Sequence, residues 1–251
     1  MGFPVVVGLN PGDEKRTSTV SHGRLLGTKG IDPFGNVYYW SKNGASAIEA
    51  CQVVQTAVQA SSSAHVAALD VVGATVSGVT TLTITIATTP ITADQYKDGQ
   101  VTIDTSPGQA VYRIKSNPAA ASATGAEFIL YPDDPLRTAL TSGTTKVGLR
   151  KNPYQDVVEM PTAVTGVAVG VTPVAVAANA YFWAQTYGEA VVNTDVEPIA
   201  GRPVAVPGAS AGTVALVTTV VQDIAVQIIG IPQTAGAGAD KFNKVFLAIR
   251  A

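Results

Sequence analysis

Cysteine occurs once in this chain of 251 residues, at Cys51, so no internal disulfide can staple the fold. A single thiol fits a protein assembled in a reducing cytoplasm. Charge is scarce too: Asp, Glu, Lys and Arg make up 14% of residues, with 18 acidic against 16 basic side chains. Domains that neutralise nucleic-acid phosphates carry a basic excess, and its lack here sets nucleic acid aside as a partner. Hydrophobic residues nevertheless reach 46%, which argues for a buried core and against disorder as the main state. Met1-Gly2-Phe3-Pro4 has no basic residue and Val5-Val6-Val7 is a short apolar run, so no secretory signal is expected. Val6 stands where a myristoylation motif wants Ser or Thr.

Three stretches have no charge at all: residues 71–93, 162–188 and 203–222. Each is long enough to raise the question of a membrane span, which needs about 20 apolar residues. Their content is Val, Ala, Thr and Gly, interrupted by Gly170, Pro173, Pro207 and Gly208, and no membrane association is expected. What they show is alternation. Thr81-Leu82-Thr83-Ile84-Thr85-Ile86 puts Leu and Ile on one face and Thr on the other, the pattern of a half-buried strand. Similar short runs at 100–104, 110–114, 127–131, 181–186, 190–192, 204–206, 213–220, 224–230 and 244–249 are separated by Gly and Pro clusters. Short strands at roughly 8–12-residue spacing predict a mainly β protein built of small barrels or sandwiches.

One helix is expected, over residues 46–60, where Ile48, Cys51, Val54 and Val58 approach a helical stripe and Ser46 with Glu49 makes a capping box. The first 45 residues read differently. They are rich in Pro and Gly and have only brief strand-like stretches, which predicts an extended arm docked either on its own body or on a neighbour, with the neighbour expected. The organisation read from the chain is therefore an arm at 1–45, a helix and linker at 46–66, a first β domain at 67–155 and a second at 156–251.

No catalytic motif stands out. The two histidines, His22 and His65, have no second ligand at metal spacing and read as solvated or hydrogen-bonded loop residues. Asp94, Asp98, Asp133 and Asp134 could offer oxygens to a hard cation, but they sit in turn-rich sequence where Asp bonds its own backbone. Cys51 reads as a buried, inert thiol, and Gly236-Ala237-Gly238 as a turn without the rest of a dinucleotide fingerprint. No metal, cofactor or catalytic residue is expected. Aromatics cluster at Phe34, Tyr38, Tyr39, Trp40 and again at Tyr181, Phe182, Trp183, Tyr187. Alternate members of a strand face opposite sides, so these are either a two-sided core or a contact surface. The candidate interface comprises Phe34, Tyr38, Tyr39 and Trp40 with the cations Arg24 and Lys29.

Several phrases resemble tailed-bacteriophage virion proteins: Gly27-Thr28-Lys29-Gly30, Asp32-Pro33-Phe34-Gly35-Asn36 leading into Val37-Tyr38-Tyr39-Trp40, Gln95-Tyr96-Lys97-Asp98-Gly99 and Tyr112-Arg113-Ile114-Lys115-Ser116-Asn117-Pro118. Asp134-Pro135-Leu136, Asn152-Pro153-Tyr154, Tyr181-Phe182-Trp183-Ala184-Gln185-Thr186-Tyr187-Gly188 and Val206-Pro207-Gly208 continue it. The likeness is a pattern of short phrases, most like capsid decoration (cement) proteins. It implies a non-enzymatic virion component that binds the major capsid protein and copies of itself, a trimer suiting three-fold sites. A tail, neck or vertex component is the alternative, and a secreted carbohydrate-binding adhesin a more distant one.

Overall fold

The computed structural model describes residues 6–58, 65–106, 108–217, 227–235 and 241–249. Its strands are β1 (Val6–Gly8), β2 (Lys29–Ile31), β3 (Val37–Lys42), β4 (Val53–Gln55), β5 (Leu69–Asp70), β6 (Thr81–Thr85), β7 (Gln100–Ile103), β8 (Val111–Ser116) and β9 (Gly125–Leu130). They continue as β10 (Lys146–Arg150), β11 (Val158–Glu159), β12 (Ala168–Val171), β13 (Tyr181–Thr194), β14 (Val204–Val206), β15 (Ala215–Leu216), β16 (Gln227–Pro232) and β17 (Lys241–Ala248). A single 3-10 turn at Asp13–Lys15 is the only helical element among the described residues. The protein is mainly β, as the alternation predicts, and none of its described helices could cross a membrane.

The chain divides into two units, Met1–Val58 with Pro153–Ala251, and Gln59–Asn152. In the second, six strands pair in the order β5-β10-β7-β8-β9-β6, every neighbour antiparallel. Its two edges meet: Val71 bridges Ile84 and Val72 N–H donates to Thr83 at 2.9 Å, so the sheet curls toward a small barrel. The interior is the inward half of each alternation. Leu82 and Ile84 of β6, Tyr112 and Ile114 of β8, and Ala126, Phe128 and Leu130 of β9 are buried, while Thr81, Arg113 and Glu127 are not. Each fully buried Leu, Ile or Phe contributes about 1.5–3 kcal/mol to this core. His65 is buried here. Its Nε2 donates to the Thr89 carbonyl at 2.6 Å, leaving Nδ1 to accept from the Tyr96 hydroxyl at 2.8 Å.

The first unit holds a sheet in the order β1-β2-β3-β13-β17-β16-β14-β15, with β12, β4 and β11 branching from β13. Its spine is β13, fourteen residues long. The first half pairs with β3 and the second with β17. Gly188 lies where the partners change, at φ +94, and a Cβ there would sit 2.0 Å from Asn36 Oδ1. Asn36 uses that oxygen to accept from Glu189 N–H at 3.1 Å, so only glycine allows the crossing of the two segments.

Two expectations are corrected. The helix over 46–60 does not form: Ile48 makes a bridge to Val176, Cys51 adopts φ +63 and β4 follows. Val53 and Val54 are both fully buried, and β4 lies between β11 and β12. Adjacent β-branched residues buried on both faces suit a central strand, and the pairing overrides the helical spacing. Thr172 completes the alternative by accepting from Gln52 N–H at 3.0 Å. Nor are residues 6–45, the described part of the expected arm, a segment reaching away. β1, β2 and β3 are woven into the sheet through β13, so the docking is on the chain's own body. Residues 59–60 of the expected helix, the Gly236-Ala237-Gly238 turn and parts of the expected strands at 213–220 and 224–230 lie outside the described residues.

Candidate functional site

The register of β3 and β13 places Trp40 directly opposite Trp183, so both indoles rise from the same face of the sheet. Their centroids are 5.0 Å apart at 58°, and Tyr181 stacks on Trp40 at 5.9 Å. On β2, Gly30 pairs with Tyr38, and a Cβ there would lie 2.8 Å from Leu9 and 2.9 Å from Trp183. Both tryptophans are 2% exposed, and the buried Trp40 Nε1 has no acceptor among the described residues.

Over these rings the N-terminal residues build a cavity of about 480 Å³. Leaving β1, the chain turns at Gly12 (φ +95) into Asp13–Lys15. Asp13 accepts from Asn10 N–H at 3.0 Å and Asn10 Nδ2 at 3.2 Å, and pairs with Arg16 at 3.2 Å. The Asn10 amide, followed by the charges of Arg16 and Arg24, holds the Asp13 carboxyl below its ordinary range. Ser18 and Tyr181 exchange two backbone hydrogen bonds, of 2.9 and 2.7 Å, which fasten the far wall to β13. Ser18 Oγ donates to the Val20 carbonyl, so His22 Nε2, 2.8 Å away, is the donor in their contact. The Arg24 guanidinium lies 5.3 Å from the Trp40 ring and 5.5 Å from Trp183, a cation held over two indoles.

A second surface lies further along the same sheet. The register sets Tyr187, Glu189, Val191 and Asn193 of β13 beside Ala248, Phe246, Lys244 and Phe242 of β17, and Ile231 of β16 beside Phe246. This face looks outward: Tyr187 is 47% exposed, Ile231 46% and Phe242 62%. Tyr187 and Phe246 meet edge to face at 5.1 Å. The opposite face carries Ala190, Val192, Val245, Leu247 and Ile249 into the core.

The six candidate interface residues do not form one surface. Tyr38 and Trp40 are buried, because β3 has partners on both sides and a covered face above. Burial and the adjacent Asp32 carboxylate push the Tyr38 hydroxyl well above its ordinary value. Tyr39, on the other face, is half-buried and stacks on Tyr154 at 5.0 Å. Lys29 sits opposite it on β2. Phe34 is 80% exposed at the tip of a turn, which Asp32 organises by accepting from Phe34 and Asn36 N–H, each at 2.9 Å. Of the six, Arg24 and Trp40 line the cavity. In the second aromatic cluster, Phe182 and Trp183 enter cores on opposite sides of β13, while Tyr187 faces outward.

Asp94 and Asp98 both occupy left-handed turn positions at φ +58. Asp98 accepts from the Tyr131 hydroxyl and Asp134 from Arg113 N–H. No three metal-ligating side chains converge among the described residues. Cys51 is only half-buried, and that burial raises its thiol pKa. Asn10, Asp13, Arg16 and Ser18 were not singled out by the sequence, because ordinary loop residues gain their meaning only from the tryptophans beneath them. Comparison with known protein families, curated proteins and solved structures finds no match to this chain.

Proposed function

We propose that this chain is a non-enzymatic structural component of a tailed-phage virion, decorating and stabilising the capsid by binding the major capsid protein and copies of itself. The outward face of β13, β17 and β16 carries this reading. Tyr187, Val191, Ile231 and Phe242 leave large apolar side chains in solvent on a regular sheet, with Phe246 between them. Contiguous exposed apolar surface marks protein–protein contact. A charge-poor composition limits the desolvation cost when such surfaces meet. The resemblance in Asp32-Pro33-Phe34-Gly35-Asn36 and Tyr181-Phe182-Trp183 supports the virion setting. Contact is assigned to this sheet face, since the N-terminal residues are engaged within their own unit. Repetition over a shell multiplies weak contacts through high effective concentration.

Quantitative mass spectrometry of purified particles tests the reading. Copies in proportion to the major capsid protein are expected. A copy number matching a single ring would assign the chain to the neck or tail instead, and absence from the particle would refute a virion role.

A further inference from the structure

The cavity above Trp40 and Trp183 is not used by the proposed function, and its walls have a definite chemistry. Two guanidinium groups, Arg16 and Arg24, face one carboxylate, Asp13. Asp13 is already committed to Arg16 and Asn10. Arg24 makes no ion pair among the described residues; its backbone N–H closes a turn on Ser21, and its guanidinium rests on the two indoles. The wall therefore has one positive charge in surplus. With its charge held 5.3–5.5 Å from two indole rings, the planar guanidinium has N–H donors in a fork that matches the two oxygens of a carboxylate.

Size narrows the class. A volume of about 480 Å³ exceeds what one ion fills and falls in the range of built ligand sites. The remaining lining includes the neutral polar groups of Asn10, Thr17 and Ser18, suited to peptide N–H and C=O groups. One surplus charge balances a single carboxylate better than a phosphate dianion. We infer that this cavity binds a peptide segment through one Asp or Glu side chain, with the carboxylate seated on Arg24 and the peptide groups on the polar wall. This site is separate from the apolar sheet face and does not depend on the virion reading.

The chain has only two tryptophans, and both floor the cavity, so intrinsic fluorescence reports on it directly. The full chain is titrated with the capped tripeptide acetyl-Gly-Glu-Gly-amide, its Gln counterpart, sodium acetate and inorganic phosphate. A saturable change with the Glu peptide is expected, weakened by added salt and at least about tenfold tighter than with the Gln peptide, acetate or phosphate. Arg24→Gln should weaken binding about tenfold. Asp13→Asn, which removes the competing carboxylate, should tighten it. An equal response to the Gln peptide, or no saturable response, overturns the proposal. Phosphate or acetate binding as tightly as the Glu peptide overturns the peptide assignment. The comparison of Glu and Gln peptides on the unmodified chain decides the matter however either variant folds.

Discussion

Trp183 lies directly across from Trp40 on the next strand, and Gly30, one strand further, leaves the space that the Trp183 ring occupies. This relationship ties the N-terminal residues to the middle of the sheet. It makes the first unit depend on segments far apart in the chain.

Gly30→Ala puts a methyl group within 3 Å of Leu9 and Trp183, both buried. Overpacking of this kind costs about 1–3 kcal/mol. A urea titration followed by tryptophan fluorescence should show a lower midpoint at an unchanged slope, with an altered native emission maximum. An unchanged midpoint would mean that the Leu9–Trp183 packing has slack.

Deleting residues 1–40 removes β1, β2 and most of β3, and with them Leu9, Tyr38 and Trp40 from the core. Cooperative folding of the remainder of this unit should be lost. The unit Gln59–Asn152 has its own core and should keep its amide protection in hydrogen exchange. A truncated chain that keeps full protection throughout would show the N-terminal strands to be dispensable.

Glu159 is held above its ordinary value by partial burial and then by the nearby Glu49. A raised folded-state pKa favours the protonated fold. The fold is therefore unpenalised below the ordinary carboxylate value and loses stability as pH rises through the folded value. Glu159→Gln, neutral throughout, should raise Tm at pH 7 by about 2 °C or less and leave it unchanged near pH 3. A Tm gain that persists at pH 3 would locate the effect in packing.

Phe242→Asp and Val191→Asp alter exposed positions on the outward sheet face. Each should cost about 1 kcal/mol or less, since Phe242 is 62% and Val191 42% exposed. Under the proposed function, binding to capsids that lack this chain should fall at least about tenfold. Phe34→Ser, at an exposed turn away from this face, should leave binding unchanged.

The fold class was readable because alternation is local. Thr81, Leu82, Thr83 and Ile84 carry their inside and outside in the sequence, and the strand keeps that division. Over 46–60 the spacing of Ile48, Cys51 and Val54 is helical, but pairing with β12, a long-range contact, holds Val53 and Val54 in a strand. The cavity was invisible for the same reason. Nothing near Trp183 in the sequence announces Arg24, and the two meet only through the β3–β13 register. Tyr187 stood in a cluster that could face inward or outward, and its edge-to-face partner Phe246 lies on another strand.

The proposed virion role is tested most directly by a cryo-electron microscopy map of the assembled phage particle. Density for this chain is expected to repeat across the head lattice, with Tyr187, Phe242 and Ile231 against the capsid protein or a second copy. A map in which the chain is missing from the shell, or in which that sheet face points to solvent in every copy, would contradict it.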